Sequence, residues 1–184
     1  MINALFILNT VALFFIFLYS LIQLDLVISY IKHHRKSTGT EPLSLIEYPD
    51  VTIQLPVYNE LYVIERLIDT VAEFDYPRDK LEIQVLDDST DETLELSRRK
   101  VSEWRERGLN ISLIHRKDRS GFKAGALQAG LLKAKGHFIA IFDADFLPAP
   151  DFLKQTLPHF MQNDRIGAVQ TRWGHINRNY SLLT

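Results

Sequence analysis

An α/β domain built on a mainly parallel sheet, carried behind one membrane-spanning helix, is the fold class this sequence predicts. Two patterns predict it. Short β-forming runs alternate with helical periods from residue 51 onward, and residues 4–24 contain no charged side chain. Alternation of that kind specifies βαβ units, with helices on both faces of the sheet. An uncharged apolar run of that length is close to the ~20 residues a helix needs to cross a bilayer.

The totals narrow the classes further. A chain of 184 residues holds one ordinary domain plus a small appendage. Its formal charge of −2 gives no basic excess, which argues against a nucleic-acid partner. The absence of cysteine excludes disulfides and thiolate metal sites.

Residues 1–31 read as a transmembrane anchor. A cleaved signal peptide is the rival, but no Lys or Arg precedes the apolar run, and the run is longer than a typical signal core. Asn9, Thr10, Ser20 and Gln23 are tolerable inside the span, whereas Asp25 belongs near the headgroups or against another helix. Lys32, His33, His34, Arg35 and Lys36 follow at once. By the positive-inside rule they keep residues 32–50, a basic linker, and the domain beyond it on the cytoplasmic side. Gly39, Pro42 and Pro49 break any periodicity within that linker.

The domain is expected over residues 51–184. Residues 51–56 form a first strand and residues 57–60 a turn, after which Leu61, Ile64, Leu67, Ile68 and Val71 recur at helical spacing. Pro77 lies just past that helix. Residues 81–86 form a second strand ending in Asp87-Asp88-Ser89-Thr90. Ser89 and Glu92 have the spacing of a capping box for a helix running to about Arg107, with Gly108 as its stop. Residues 111–114 form a third strand, and residues 120–127 open a third helix that Gly136 ends. The fourth strand, residues 138–142, is wholly apolar and reads as buried on both faces. Residues 151–161 give a further helix, with Pro158 a kink or early end, and residues 166–172 a fifth strand.

Ligands of open α/β sheets bind beyond the carboxyl ends of the strands. Three polar clusters fall there: Tyr58, Asn59 and Glu60 after the first strand, Asp87 and Asp88 after the second, Asp143 and Asp145 after the fourth. Singly, each has a bland reading, with Asn59 and Ser89 as helix caps, the acids as partners of helix N-termini, or residues 143–148 as a solvated turn. Together they occupy one rim. Asp143 and Asp145 repel each other unless a cation joins them, and oxygen ligands suit Mg²⁺ or Mn²⁺.

The motifs that carry these clusters resemble those of the processive family 2 glycosyltransferases, in particular the cellulose-synthase-like mannan and glucan synthases. They are Gln54-Leu55-Pro56-Val57-Tyr58-Asn59-Glu60, Gln84-Val85-Leu86-Asp87-Asp88-Ser89-Thr90-Asp91, Gly121-Phe122-Lys123-Ala124-Gly125-Ala126-Leu127 and Ile139-Ala140-Ile141-Phe142-Asp143-Ala144-Asp145-Phe146. Val169-Gln170-Thr171-Arg172-Trp173 looks like the family's next strand. The resemblance implies a GT-A fold, Rossmann-like, with residues 51–184 as its nucleotide-sugar half. It implies a membrane enzyme of polysaccharide biosynthesis that transfers a hexose from a UDP- or GDP-hexose donor to a glycan or lipid acceptor, with inversion. Residue by residue, it implies that Tyr58 packs on the base, Glu60 contacts base or ribose, and Asp87 binds the base edge. Asp88 holds the same loop or the ribose, Lys123 contacts the nucleotide, Asp143 touches ribose or metal, and Asp145 is the main metal ligand, the Asp-x-Asp pair taking Mg²⁺ or Mn²⁺.

The family's Thr-Glu-Asp motif, which supplies the general base, and its Gln-x-x-Arg-Trp acceptor motif do not occur in these residues. Asp151 and Asp164 are the only acids after Asp145, and neither is read as the base. The resemblance therefore implies an N-terminal piece with its base expected beyond Thr184, inactive in transfer by itself. The alternative is a catalytically incomplete, membrane-tethered nucleotide-sugar-binding module. A dehydrogenase-type nucleotide site is disfavoured, because the glycine pattern it needs after the first strand is replaced by Pro56-Val57-Tyr58-Asn59-Glu60.

Overall fold

The structure is a computed structural model that describes residues 2–37, 45, 47–116, 118–172 and 174. The chain divides into two compact units, Met1–Pro42 and Leu43–Thr184.

The first unit is a single helix, α1 (Ile2–Ser37). Its stretch Ala4–Lys32 is long and apolar enough to cross a membrane, and none of its most apolar window is buried inside the protein. At 1.5 Å per residue those 29 residues extend about 43 Å, against a hydrocarbon core of about 30 Å. Two hydroxyls inside the span are satisfied within the helix: Thr10 donates to the Phe6 carbonyl and Ser20 to that of Ile16, each at 2.9 Å. Residues 32–37, expected to begin the linker, instead continue the helix. Nothing among them breaks a helix, and the first glycine comes only at position 39. Most of the expected linker after Ser37 lies outside the described residues.

The second unit alternates strand and helix as the sequence predicts: β1 (Val51–Val57), α2 (Ile64–Ala72), β2 (Leu81–Asp87), α3 (Thr93–Glu106), β3 (Ile111–His115), α4 (Phe122–Leu131), β4 (Phe138–Ile141) and α5 (Phe152–Gln162). The four strands form one sheet in the order β3-β2-β1-β4. Every pairing is parallel, with Val57 opposite Asp87 and Asp87 opposite His115, so the strand ends form one rim.

Strand alternation sorts β1 between two layers. Val51, Ile53, Leu55 and Val57 point into the main core, where they meet Ile64, Leu67, Ile68 and Val71 of α2, Val101 and Trp104 of α3, and Leu153 and Leu157 of α5. Thr52 and Gln54 point the other way and are also buried. Their polar atoms are paired along the sheet: Gln54 Nε2 donates to Gln84 Oε1 at 3.1 Å and Thr52 Oγ1 to Glu82 Oε2 at 2.6 Å. Buried side-chain amides and hydroxyls are mostly paired in this way; the buried Thr93 hydroxyl is an exception among the described residues. A smaller apolar cluster, Leu86, Ile114 and Ala126, seats α4 on that second face.

Four local expectations are corrected. Helix α2 begins at Ile64 rather than near Leu61, because Asn59 takes a left-handed φ of 55° and the Glu60 carbonyl accepts the turn bonds from Val63 and Ile64. The capping box does not form. Ser89 Oγ accepts the Asn59 N–H at 2.8 Å instead, and the Thr93 N–H at the start of α3 is met by Asp91 Oδ1 at 3.0 Å. Strand β4 is not buried on both faces, and Ile141 is 49% exposed. Being an edge strand, β4 pairs with β1 alone among the described residues. Residues 166–172 form no strand; they find no ladder partner among the described residues, and Trp173 lies outside them. One boundary follows the expectation: Gly108 closes the turn after α3 with φ 83°, a conformation that costs glycine little. Helix α5 carries Pro158 within it and runs on to Gln162, so the proline is not an early end.

Candidate functional site

The chain passes from β1 to β2 to β3 on one side, then places β4 on the opposite flank of β1. The crevice beyond β1 and β4 is therefore the topological switch point, where ligands of open α/β sheets bind. An open cleft of about 410 Å³ lies there, walled by Tyr58, Glu60, Asp88, Arg119, Lys123, Asp143 and Asp145 among others. A second, of about 420 Å³, adjoins it on the β2–β3 side and shares Tyr58, Asp88 and Arg119.

Local folding explains how the acids after β4 reach the cleft. Phe142 and Ala144 are buried, at 4% and 7% exposure. The Phe142 ring packs edge-on against Phe74 and Phe152. Phe142 N–H also continues the ladder to the Gln54 carbonyl at 3.2 Å. With those two residues anchored inward, the residues alternating with them, Asp143 and Asp145, face the cleft. They are not equivalent. Asp143 forms an ion pair with Lys123 at the start of α4, whereas the Asp145 carboxylate makes no ion pair or side-chain hydrogen bond among the described residues.

The loops after β1 and β2 are laced together. Thr90 N–H donates to Asn59 Oδ1 at 3.0 Å, and Asp88 N–H to the Val57 carbonyl at 3.1 Å. This lacing presents Tyr58 and Glu60 on the cleft wall. Asp87 stands apart from it. It is fully buried, with Oδ1 accepting the Ser89 N–H at 2.7 Å and Oδ2 the Ser97 hydroxyl at 2.6 Å, and it lines neither cleft. Asp151, in the turn opening α5, and Asp164 line neither cleft.

Two arginines that sequence reasoning missed organise the β3–α4 connection. Arg116 grips Asp88 with two nitrogens, Nε at 2.9 Å and Nη2, and donates to the carbonyls of Ser120 and Phe122, both at 3.1 Å. The hydrogen bonds to Asp88 outweigh partial burial and hold the guanidinium above its ordinary pKa. Its passage requires Gly125: a Cβ there would lie 2.2 Å from the Ser120 oxygen and 2.6 Å from Arg116 Nη1. Arg119 instead lays its guanidinium on the Tyr58 ring. Neither arginine has a periodic signal, since a charged stretch after a strand reads as solvated loop.

A doubly wound sheet with a cleft of mixed charge at its switch point defines an open α/β domain with its candidate ligand site in the position usual for that class. The chain belongs to the glycosyl transferase family 2, whose family model matches residues 52–182. It is 46% identical over 142 residues to a protein of Oryza sativa subsp. japonica named probable glucomannan 4-beta-mannosyltransferase 7, covering 75% of this chain and 24% of that one. It is 43% identical over 146 residues to probable glucomannan 4-beta-mannosyltransferase 3 of Arabidopsis thaliana, covering 77% of this chain and 26% of that one. The chain thus spans about a quarter of the length of these relatives. Among solved structures it is similar to the mannosyltransferase PcManGT of Pyrobaculum calidifontis in complex with GDP-Man and Mn²⁺, with TM-score 0.59, 35% identity, and 73% of this chain and 39% of that one covered. It is also similar to S. aureus TarS in complex with UDP-GlcNAc, at TM-score 0.54 and 27% identity, over 61% of this chain and 31% of that one. The family and the GT-A-like parallel-sheet fold expected from the motifs are both borne out.

Proposed function

We propose that this chain supplies the donor half of a membrane-anchored, inverting hexosyltransferase, with α1 as the anchor and the cleft beyond β1 and β4 as the seat of a nucleotide sugar. The observation that carries the reading is the convergence of Tyr58, Glu60, Asp88, Lys123, Asp143 and Asp145 on one cleft wall. In this reading Tyr58 stacks on the base, Glu60 meets base or ribose, and Lys123 meets the nucleotide's phosphates. Asp88 works through the loop it shares with Arg116. Asp87, buried, shapes that loop by holding Ser89 and Ser97. GDP-mannose is the first donor to test, since relatives are named as mannosyltransferases and one solved relative holds GDP-Man. UDP-hexoses come second. A growing glycan is the acceptor class favoured by the plant relatives, with a lipid as the alternative.

The donor set fits a hard divalent cation. Among the described residues no group of three His, Cys, Asp or Glu forms a complete cage. Asp143 and Asp145 offer two carboxylates beside open space, the habit of Mg²⁺ or Mn²⁺ sites completed by substrate phosphates. Such a cation supplies neutralisation of the charge that develops on the departing nucleoside diphosphate.

Equilibrium titration of the detergent-solubilised chain with GDP-mannose and UDP-glucose, in Mn²⁺ and in EDTA, tests the donor site. Metal-enhanced binding of one of them is expected, and Tyr58→Ala should weaken it about tenfold, base–aromatic stacking being worth ~1–3 kcal/mol. Binding of neither, in either medium, would refute the reading.

The cytoplasmic side is assigned to the domain because Lys32 and the basic residues after it flank the span. A reporter fused after Thr184 is expected to be active only on the cytoplasmic side. A signal from the opposite side would overturn both the topology and the supply of nucleotide sugar to the cleft.

A further inference from the structure

Arg119 stands where the two clefts meet, lining both together with Tyr58 and Asp88. Its Cζ lies 3.2 Å from the centre of the Tyr58 ring and 5.1 Å from that of Phe122. Its neighbours are committed elsewhere: Arg116 to Asp88 and two carbonyls, Lys123 to Asp143. The Arg119 guanidinium makes no ion pair or side-chain hydrogen bond among the described residues, being held by aromatic faces alone. A guanidinium carries five donors in a planar fork that matches phosphate oxygens. Here that fork covers the ring on which a base would stack.

We propose that Arg119 is a donor-specificity residue that exchanges partners on binding: the base takes the Tyr58 face, and the released guanidinium engages the donor's phosphates. This rests on the reading of Tyr58 as the base platform. The physical reason is an imbalance between two interactions. A cation over a tyrosine at a half-open site is a modest attraction, while a charge-assisted, bidentate contact to phosphate is stronger and directional. A nucleoside without phosphates must displace Arg119 and receives nothing in return. A nucleoside diphosphate displaces it and then binds it. The residue therefore discriminates in favour of the intact nucleotide, and the two classes of ligand should respond oppositely to its removal.

The experiment titrates guanosine and GDP, with uridine and UDP beside them, against the wild-type chain, Arg119→Ala, Arg119→Lys and Tyr58→Ala in detergent. For the nucleoside and diphosphate pair that the wild type prefers, Arg119→Ala should bind the nucleoside roughly three- to tenfold tighter. The same variant should bind the diphosphate about tenfold or more weaker. Arg119→Lys should recover part of the diphosphate affinity. Changes of the same sign for both ligands mark a merely structural role and overturn the proposal. Equal nucleoside affinity in wild type and Arg119→Ala, undetectable in both included, overturns it as well. Tyr58→Ala separates the two levels. If it leaves nucleotide binding unchanged, the base platform itself is wrong. If it weakens binding while Arg119→Ala gives no crossover, the platform stands and the Arg119 proposal alone falls.

Discussion

Arg116→Met is expected to destabilise the domain by about 3–5 kcal/mol, the cost of leaving one partner of a buried ion pair alone. The side chain of Asp88 is 4% exposed and that of Arg116 17%, so only water entering from the adjoining clefts could replace the lost partner. Against a usual domain stability of roughly 5–15 kcal/mol, a loss of that size is severe. The backbone adds to it. Gly121 and Phe122 both take left-handed φ, 73° and 49°, and the second is costly for a residue with a side chain. Arg116 holds the Phe122 carbonyl and so fixes the turn that sets Lys123 on the cleft wall. Urea unfolding of the full chain in detergent, followed by tryptophan fluorescence, measures the loss. The paired replacement Arg116→Met with Asp88→Leu should be less destabilised than Arg116→Met alone, since it leaves no orphan charge. A single-variant loss below about 1 kcal/mol would put the pair among ordinary surface ion pairs and remove its role in shaping the turn.

This pair marks the limit of what the sequence discloses. The order of strands and helices is legible because each strand and helix carries its own period, and the rim is legible because parallel strands put their carboxyl ends on one side. Tyr58, Glu60, Asp88, Asp143 and Asp145 line one cleft there, as their positions after the strands lead one to expect, together with Lys123, which only the resemblance pointed to. What stays hidden depends on contacts distant in sequence. Asp87 and Asp88 are adjacent acids, yet one is sealed between Ser89 and Ser97 and the other is open to Arg116 and the clefts. Ser89 and Glu92 have capping-box spacing, but the Asn59 N–H, 30 residues away, takes the Ser89 hydroxyl. An apolar run such as residues 138–142 reads as an inner strand because local pattern cannot say how many strands will flank it. Among the described residues β4 has one.

Asp145→Asn is expected to abolish most of the metal enhancement of nucleotide binding, and Asp143→Asn to reduce it less. The two carboxylates differ in what they already hold. Asp143 is paired with Lys123, so a cation taken there must displace an ammonium that Coulomb attraction keeps in place, whereas Asp145 is exposed, without such a partner among the described residues. Asparagine keeps the shape of either side chain but removes the charge that hard cations require. Changes that merely disturb a ligand's support cost 10–100-fold in metal affinity, so replacing a direct ligand should cost about 100-fold or more. The readout is the ratio of GDP affinity in Mn²⁺ to that in EDTA, with Asp151→Asn as a control outside both clefts. Lys123→Ala supplies the opposing test. It frees Asp143 for the cation, so the metal should bind the ligand-free protein more tightly, while GDP loses a cation that would have met its phosphates. A wild-type ratio in Asp145→Asn would remove the metal from this carboxylate. A Lys123→Ala variant with unchanged metal affinity would show that the ion pair does not compete with it.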